Sequence, residues 1–446
     1  MKIVRAGLSF LVLAALMMGA AARKDTIKVT KTANIPVQTS ETLTTDATAA
    51  VQKPQSLPSA YDGRKYGRTS RVEDQGMLGT CWAFAALTAL ESALLPEEIL
   101  DFSEDHMSQK NSFGRDQNAG GDYIMSMAYL LSWQGPVLEA QDSYGDGFSP
   151  DGLQPTKHVQ QVEILPEKDF EAIKRAVYEQ GGVQSSLYTS IENAQSDSVY
   201  YQKEQSAYCY TGENAPNHDV VIVGWDDHYS RENFNQKPEG DGAFLCISSW
   251  GEKFGDGGYF YVSYYDTNIG RTNIVYQMIE NTDNYDKIYQ TDPCGWAGQV
   301  GYGSEQVYGA NVYQAGENEQ LEAVGFYATK PDTEYEIYLV ENAAQEPDFS
   351  NRTRIASGNM KYAGYYTVKL EQPQRLPSGQ RFAVVILLKT SGAVHPMAIE
   401  YAAEGMTRKP DLSDGEGYIS QDGERWESAE EVYACNLCLK AYTSFY

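Results

Sequence analysis

Cys81 lies where a turn carrying Gly76 and Gly79 runs into an Ala- and Leu-rich stretch, residues 82–95, that contains no Gly or Pro. The pattern predicts a buried helix with Cys81 in its first turn. Unpaired N–H groups and the positive end of the helix dipole would lower the thiol pKa there, favouring the thiolate that attacks carbonyl carbon. On the helix alone, an inert core cysteine is the ordinary reading. A nucleophilic cysteine also needs a base. Of the five histidines, only His218 has a setting that supplies one, in Asn217-His218-Asp219-Val220-Val221-Ile222-Val223-Gly224-Trp225. There an imidazole opens a buried strand, held rigidly enough to form a thiolate–imidazolium pair with Cys81. His106, His158, His228 and His395 sit in polar or loop contexts and read as surface residues.

The elements that must position this pair change character along the chain. Residues 82–95, a start at Ser103-Glu104-Asp105, residues 123–133 and residues 166–179 read as helices. The last of these carries Phe170, Ile173, Ala176 and Val177 as its apolar stripe. Residues 183–188, 220–225, 243–248 and 258–264 read as strands. A helix-rich part followed by a strand-rich part predicts an α+β domain of two lobes with a cleft between them. A polar, Tyr-containing stretch at 281–290 makes a boundary. Beyond it, seven strand-like runs predict a β-sandwich or jelly roll as a separate domain, with nothing helical in it.

Composition narrows the function classes. The 446 residues suffice for two or three domains and a substantial core. Residues 1–22 combine Lys2 and Arg5, an apolar run and small residues, the pattern of a cleavable export signal. The expected compartment is secreted, periplasmic or cell-surface. No cysteine follows the signal closely, which argues against a lipoprotein anchor there. The only other long apolar run, residues 383–388, is too short to span a membrane. Residues 23–56, rich in Thr, Ala and Val with Pro36 and Pro54, read as a flexible linker or short pro-segment. The net charge of −26 makes nucleic acid an unsuitable partner. Six dispersed cysteines do not form a disulfide scaffold.

Together, Gln75-Gly76 through Cys81-Trp82-Ala83-Phe84, Asn217-His218 with Val223-Gly224-Trp225, Ser249-Trp250-Gly251, and Gly257-Gly258-Tyr259-Phe260 resemble the papain family of cysteine peptidases. The likeness covers about residues 57–280, and the separation of Cys81 from His218 falls in the family's range of about 130–150 residues. It implies a papain-like domain with a helical lobe and a β-barrel-like lobe, Cys81 as nucleophile and His218 as general base and acid. It further implies that Gln75 and the Cys81 N–H form the oxyanion hole. The Gly120-Gly121 pair would receive extended substrate backbone, and Asn217 and Trp250 would belong to the substrate-binding surroundings, Trp250 also shielding the histidine. Such chemistry needs neither metal nor cofactor; the implied partners are protein or peptide substrates.

Two places depart from the family's pattern. Ser248 stands where the family usually has the Asn that orients the histidine. Its shorter hydroxyl should hold His218 less firmly, at a cost of about 0.5–1.5 kcal/mol if the hydrogen bond were lost. Leu78 and Asn118 occupy the places of a common disulfide, so both partners are missing together. The family's long helical pro-region has no counterpart in residues 23–56, and the chain lacking only its signal is expected to be active.

The second domain resembles the lectin-like β-sandwich that follows papain-like domains in some secreted bacterial and archaeal proteins, through Ala323-Val324-Gly325-Phe326-Tyr327, Tyr335-Glu336-Ile337-Tyr338 and the run 379–385. The likeness implies a carbohydrate or cell-surface ligand, or a bracing role. Cys435 and Cys438 fall on opposite faces of a strand and read as neither a metal pair nor a redox pair; Cys294 is a candidate partner for one of them. Asn351-Arg352-Thr353 matches a glycosylation triplet. The resulting expectation is a signal at 1–22, a linker or pro-segment at 23–56, a peptidase domain at 57–284 and a lectin-like sandwich at 285–446. The alternatives are a binding or adhesion protein whose peptidase has lost turnover through Ser248, and a thiol-dependent acyl transferase using the same pair.

Overall fold

A computed structural model describes residues 56–191, 196–344, 348–403, 409–413 and 415–446. The expected signal and nearly all of the expected pro-segment lie outside the described residues. Three helices, α1 (Cys81–Leu94), α2 (Glu104–Lys110) and α3 (Tyr123–Leu131), pack together, and a fourth, α4 (Phe170–Glu179), packs its Ile173, Ala176 and Val177 against the strands instead. Three of the four start on side-chain caps. Ser103 accepts from the His106 N–H, Asp122 from the Ile124 N–H and Asp169 from the Ala172 N–H, each satisfying an N–H that the helix itself leaves open. α1 has no such cap and is instead held by burial, with almost every residue inside the core. Its Ala and Leu side chains share that core with Val221, Val223, Leu245 and Ile247 of the strands beside it.

The strand-rich part forms one long sheet. Lys157–Ile164 pairs with Asn273–Asn281, followed in order by Val183–Leu187, His218–Asp226, Ala243–Ile247 and Tyr259–Ser263. On its other edge, Lys157–Ile164 pairs antiparallel with Ala363–Arg375, which comes from beyond the expected boundary. The sheet therefore continues without a break into Glu319–Ala328, Leu439–Phe445 and Lys287–Tyr289. Against this end lies a six-stranded sheet centred on Arg381–Thr390 and Gln306–Gln314. Val324 and Phe326 from one layer and Ile337, Val384 and Ile386 from the other fill the space between, which makes the sandwich.

The separate second domain expected from sequence is thus stitched to the first through β-pairing. Gly364 opposes Glu163 with φ +141°, and a Cβ there would meet the Val162 carbonyl oxygen at 2.1 Å. Only glycine fits that crossing. Trp133 stacks on His158 with ring centroids 3.7 Å apart and also meets Tyr442 across the same seam. A buried ion pair, Lys440 to Asp292 at 2.7 Å, sits close by. One short helix, Ala429–Tyr433, interrupts the all-strand expectation. Among the described residues, no helix is long and apolar enough to cross a membrane, and no His/Cys/Asp/Glu group could hold a metal ion.

Three of the four histidines read as surface residues are in fact buried. His106 bonds the Tyr129 hydroxyl at 2.7 Å, His158 stacks on Trp133, and His395 is enclosed; only His228 is exposed. Each is covered by an element distant in sequence, which local polarity does not reveal. Cys435 and Cys438 are free thiols, so the pairing expected of Cys294 with one of them does not form; the Cys294 sulfur meets the Ser112 carbonyl at 3.4 Å. Cys435 and Cys438 fall in different core clusters, Cys438 lying between the strands Cys435–Leu437 and Leu439–Phe445.

Candidate active site

Cys81 is the first residue of α1 and remains partly accessible. The loop before it is locked from two sides. Tyr144 donates its hydroxyl hydrogen to the Gln75 carbonyl at 2.9 Å and also meets the Thr80 hydroxyl at 2.6 Å, tying the turn to the helix start. The Gln75 N–H bonds the Ser249 carbonyl at 2.9 Å. Ser249 Oγ donates to Gln75 Oε1 at 2.6 Å while Gln75 Nε2 donates to the Leu78 carbonyl at 2.8 Å, so the amide has a single orientation beside Cys81.

Across the cleft, His218 opens its strand and pairs with Leu187. Its imidazole is fixed on two sides. One face stacks on Trp250, with centroids 4.2 Å apart and planes 8° from parallel, and Nε2 lies 3.3 Å from Ser248 Oγ. That separation is at the long end for a hydrogen bond. The Cys81 sulfur lies within hydrogen-bonding reach of the Asp219 backbone N–H, and of those of Trp82 and Cys81 itself. Because Asp219 directly follows His218, this contact brings the helix start and the histidine strand together.

The sequence led us to expect a lowered thiol pKa, and the site reverses that expectation. Burial pushes the Cys81 thiol up to about 12; the Asp219 carboxylate adds to the rise and the three N–H groups oppose it. Burial pushes the His218 imidazole down to about 3. Burial thus favours the uncharged form of each group.

The glycine pair borders this site. Gly120 has φ +70° and ψ −177°, a conformation that side-chain-bearing residues avoid. A Cβ on Gly121 would meet the Trp82 ring at 2.5 Å, so Trp82 requires glycine there. The Asn217 side chain is spent on its own loop, accepting from the Thr189 N–H at 2.7 Å and donating to the Thr189 carbonyl at 2.9 Å. Trp250 is buried between His218 and Phe254, so it encloses the imidazole.

Sequence reasoning passed over Tyr144, Ser249 as the residue that orients Gln75, and Asp219. Tyr144 lies too far along the chain to signal its contact. Asp219 did carry a signal: a carboxylate inside an otherwise apolar strand.

Comparison with known proteins agrees with this geometry. A family model described as papain family cysteine protease matches residues 57–282, just over half of the chain, and one described as lectin like domain matches residues 288–443. The cathepsin L-like peptidase of Aedes aegypti is 27% identical over 217 residues, 46% of this chain and 58% of that protein. The oryzain beta chain of Oryza sativa subsp. japonica is 26% identical over 214 residues, 46% of this chain and 42% of that protein. The chain thus spans about half the length of these relatives. The solved cysteine protease and lectin-like domains of Cwp84, a surface layer associated protein of Clostridium difficile, align at a TM-score of 0.77 and 29% identity, over 88% of this chain and 90% of that one. With the cysteine at a helix start, the histidine opening the facing strand and the two family matches in order, the chain belongs to the papain family of cysteine proteases.

Proposed function

We propose that this chain is an exported cysteine endopeptidase that hydrolyses peptide bonds through a thioester on Cys81. The observation that carries the reading is the reach of the Asp219 N–H to the Cys81 sulfur, which sets the thiol at the foot of the His218 strand. With Nε2–H donating to Ser248, the Nδ1 lone pair is left to take the thiol proton. The sulfur then attacks the substrate carbonyl. The negative oxygen that forms is stabilised by the Cys81 N–H and by the N–H of Gln75 Nε2 not spent on Leu78. His218 returns the proton to the leaving amine, the C–N bond breaks, and a water deprotonated by the same ring releases the acid and restores the thiol. Gly120 and Gly121 offer the edge for extended substrate backbone.

We assign residues 57–284 to the peptidase and residues 285–446 to the sandwich, joined by the shared sheet. For the sandwich we propose attachment to a cell-surface component, supported by the surface-layer association of the Cwp84 protein, which aligns over both parts. A thiol-directed epoxide should label the wild type at Cys81 and leave Cys81→Ala unlabelled, and wild type alone should degrade an unfolded protein. A wild type that neither labels nor cleaves would instead favour a binding protein. Mass spectrometry of the products separates hydrolysis from acyl transfer.

A further inference from the structure

Along the His218–Asp226 strand, successive side chains point to opposite faces. His218, with Val220 and Ile222, faces the core that contains Trp250, while Asp219, with Val221, faces the helices across the cleft. Its carboxylate is held by donors alone: Ser186 Oγ at 2.6 Å and Gln184 Nε2 at 3.0 Å. Gln184 is fixed in turn by the Tyr276 hydroxyl at 2.7 Å, and that hydroxyl meets Ser126 Oγ of α3 at 3.2 Å. The chain of bonds therefore spans the floor between the lobes and sets one orientation for Asp219.

Three observations give this carboxylate a use. Its own backbone N–H touches the nucleophilic sulfur, so it stands within a residue's length of the reacting atom. It interacts electrostatically with Asp122 and Tyr123, which directly follow Gly120-Gly121, so it lies near the edge proposed to hold substrate. Among the described residues no Lys or Arg contributes to its electrostatic surroundings, and residue 219 as a whole is half-buried, its carboxylate lying on the inner side. A carboxylate without a cation, tethered beside the nucleophile, lacks one partner.

We propose that Asp219 is a specificity-determining residue that selects a Lys or Arg side chain on the acyl side of the scissile bond. In an extended substrate every other side chain turns toward the protein, and the one entering this recess meets Asp219. An apolar side chain would leave the carboxylate desolvated and unpaired, which is how a built polar recess rejects the wrong substrate. The cation has a second effect: it offsets the negative charge that helps keep the Cys81 thiol protonated, so the preferred substrate also eases formation of the thiolate.

This inference rests on the peptidase reading, and the test separates the two. Fluorogenic peptides varied at each of the three positions before the scissile bond are compared as kcat/KM for Arg or Lys against Leu or Met. Wild type should favour the cation by about 10–100-fold at one position, and Asp219→Asn should bring that ratio near one. Asp219→Ser serves as the second variant, with melting temperatures checked for both. A flat or apolar preference in wild type, or an unchanged ratio in both variants, overturns the assignment while leaving the peptidase reading intact. Failure of wild type to cleave any peptide or unfolded protein overturns both.

Discussion

His218 lies flat on Trp250, ring centroids 4.2 Å apart, while Ser248 bonds its outer nitrogen at 3.3 Å. The ring plane is therefore set by stacking, and rotation within that plane is restrained by one long hydrogen bond. This division of labour shows what the serine in place of the family's asparagine changes: it loosens the in-plane orientation of the base and leaves the face of the ring untouched.

Replacing Ser248 tests that division. Ser248→Ala should lower kcat/KM by a factor of about 2–13, the equivalent of one ordinary hydrogen bond. Ser248→Asn, with a longer acceptor, should raise it. Peptide hydrolysis and the rate of epoxide labelling should move together.

Gln75 and Ser249 form a second pair whose effects should differ in size. Gln75→Ala removes a donor aimed at the developing oxyanion and should lower kcat by about 10²–10³ with little change in KM. Ser249→Ala only frees the far side of that amide, so its loss should be smaller and of the same kind. Steady-state kinetics on one peptide resolves the two.

Glu91 predicts a pH-dependent stability. It is buried in α1, where its carboxyl accepts from the Phe102 N–H at 2.8 Å and from Ser70, and burial holds its pKa up to about 8. Between the ordinary carboxyl value of about 4.3 and 8, the folded chain keeps a proton that the unfolded chain releases. Stability from this group is therefore full below that window and falls as pH rises through it, by up to about 1.4 kcal/mol per unit. Glu91→Gln keeps both partners and stays neutral. Its stability relative to wild type should grow between pH 5 and pH 8 in denaturant titrations.

Gly364 tests the seam between the two parts. Gly364→Ala forces a side chain toward the Val162 carbonyl at a positive φ and should cost about 1–3 kcal/mol. Hydrogen exchange should speed up along Lys157–Ile164 and Ala363–Arg375 before it does elsewhere. Uniform protection along both strands would mean the crossing relaxes without cost.

The sequence alone determined the elements around the site, because their signals are local. An Ala- and Leu-rich run makes a helix wherever it lies, so α1 begins at Cys81 as expected. An apolar strand opening at a histidine needs no distant information either. The spacing of Gln75, Cys81, Gly120-Gly121, His218 and Trp250 then carried the family resemblance, which the family match bears out. Tertiary structure decided what depends on contacts between residues far apart in the chain. Burial by both lobes reversed the expected lowering of the Cys81 pKa, since desolvation outweighs three N–H groups. The pairing of Lys157–Ile164 with Ala363–Arg375 joined the two expected parts through one continuous sheet. Asp219, passed over in the sequence, stands out only because the fold brings its N–H close to the sulfur and seats its carboxylate on Ser186 and Gln184, with no cation beside it among the described residues. Local pattern fixes which face of a strand a side chain takes; only packing supplies what stands opposite it.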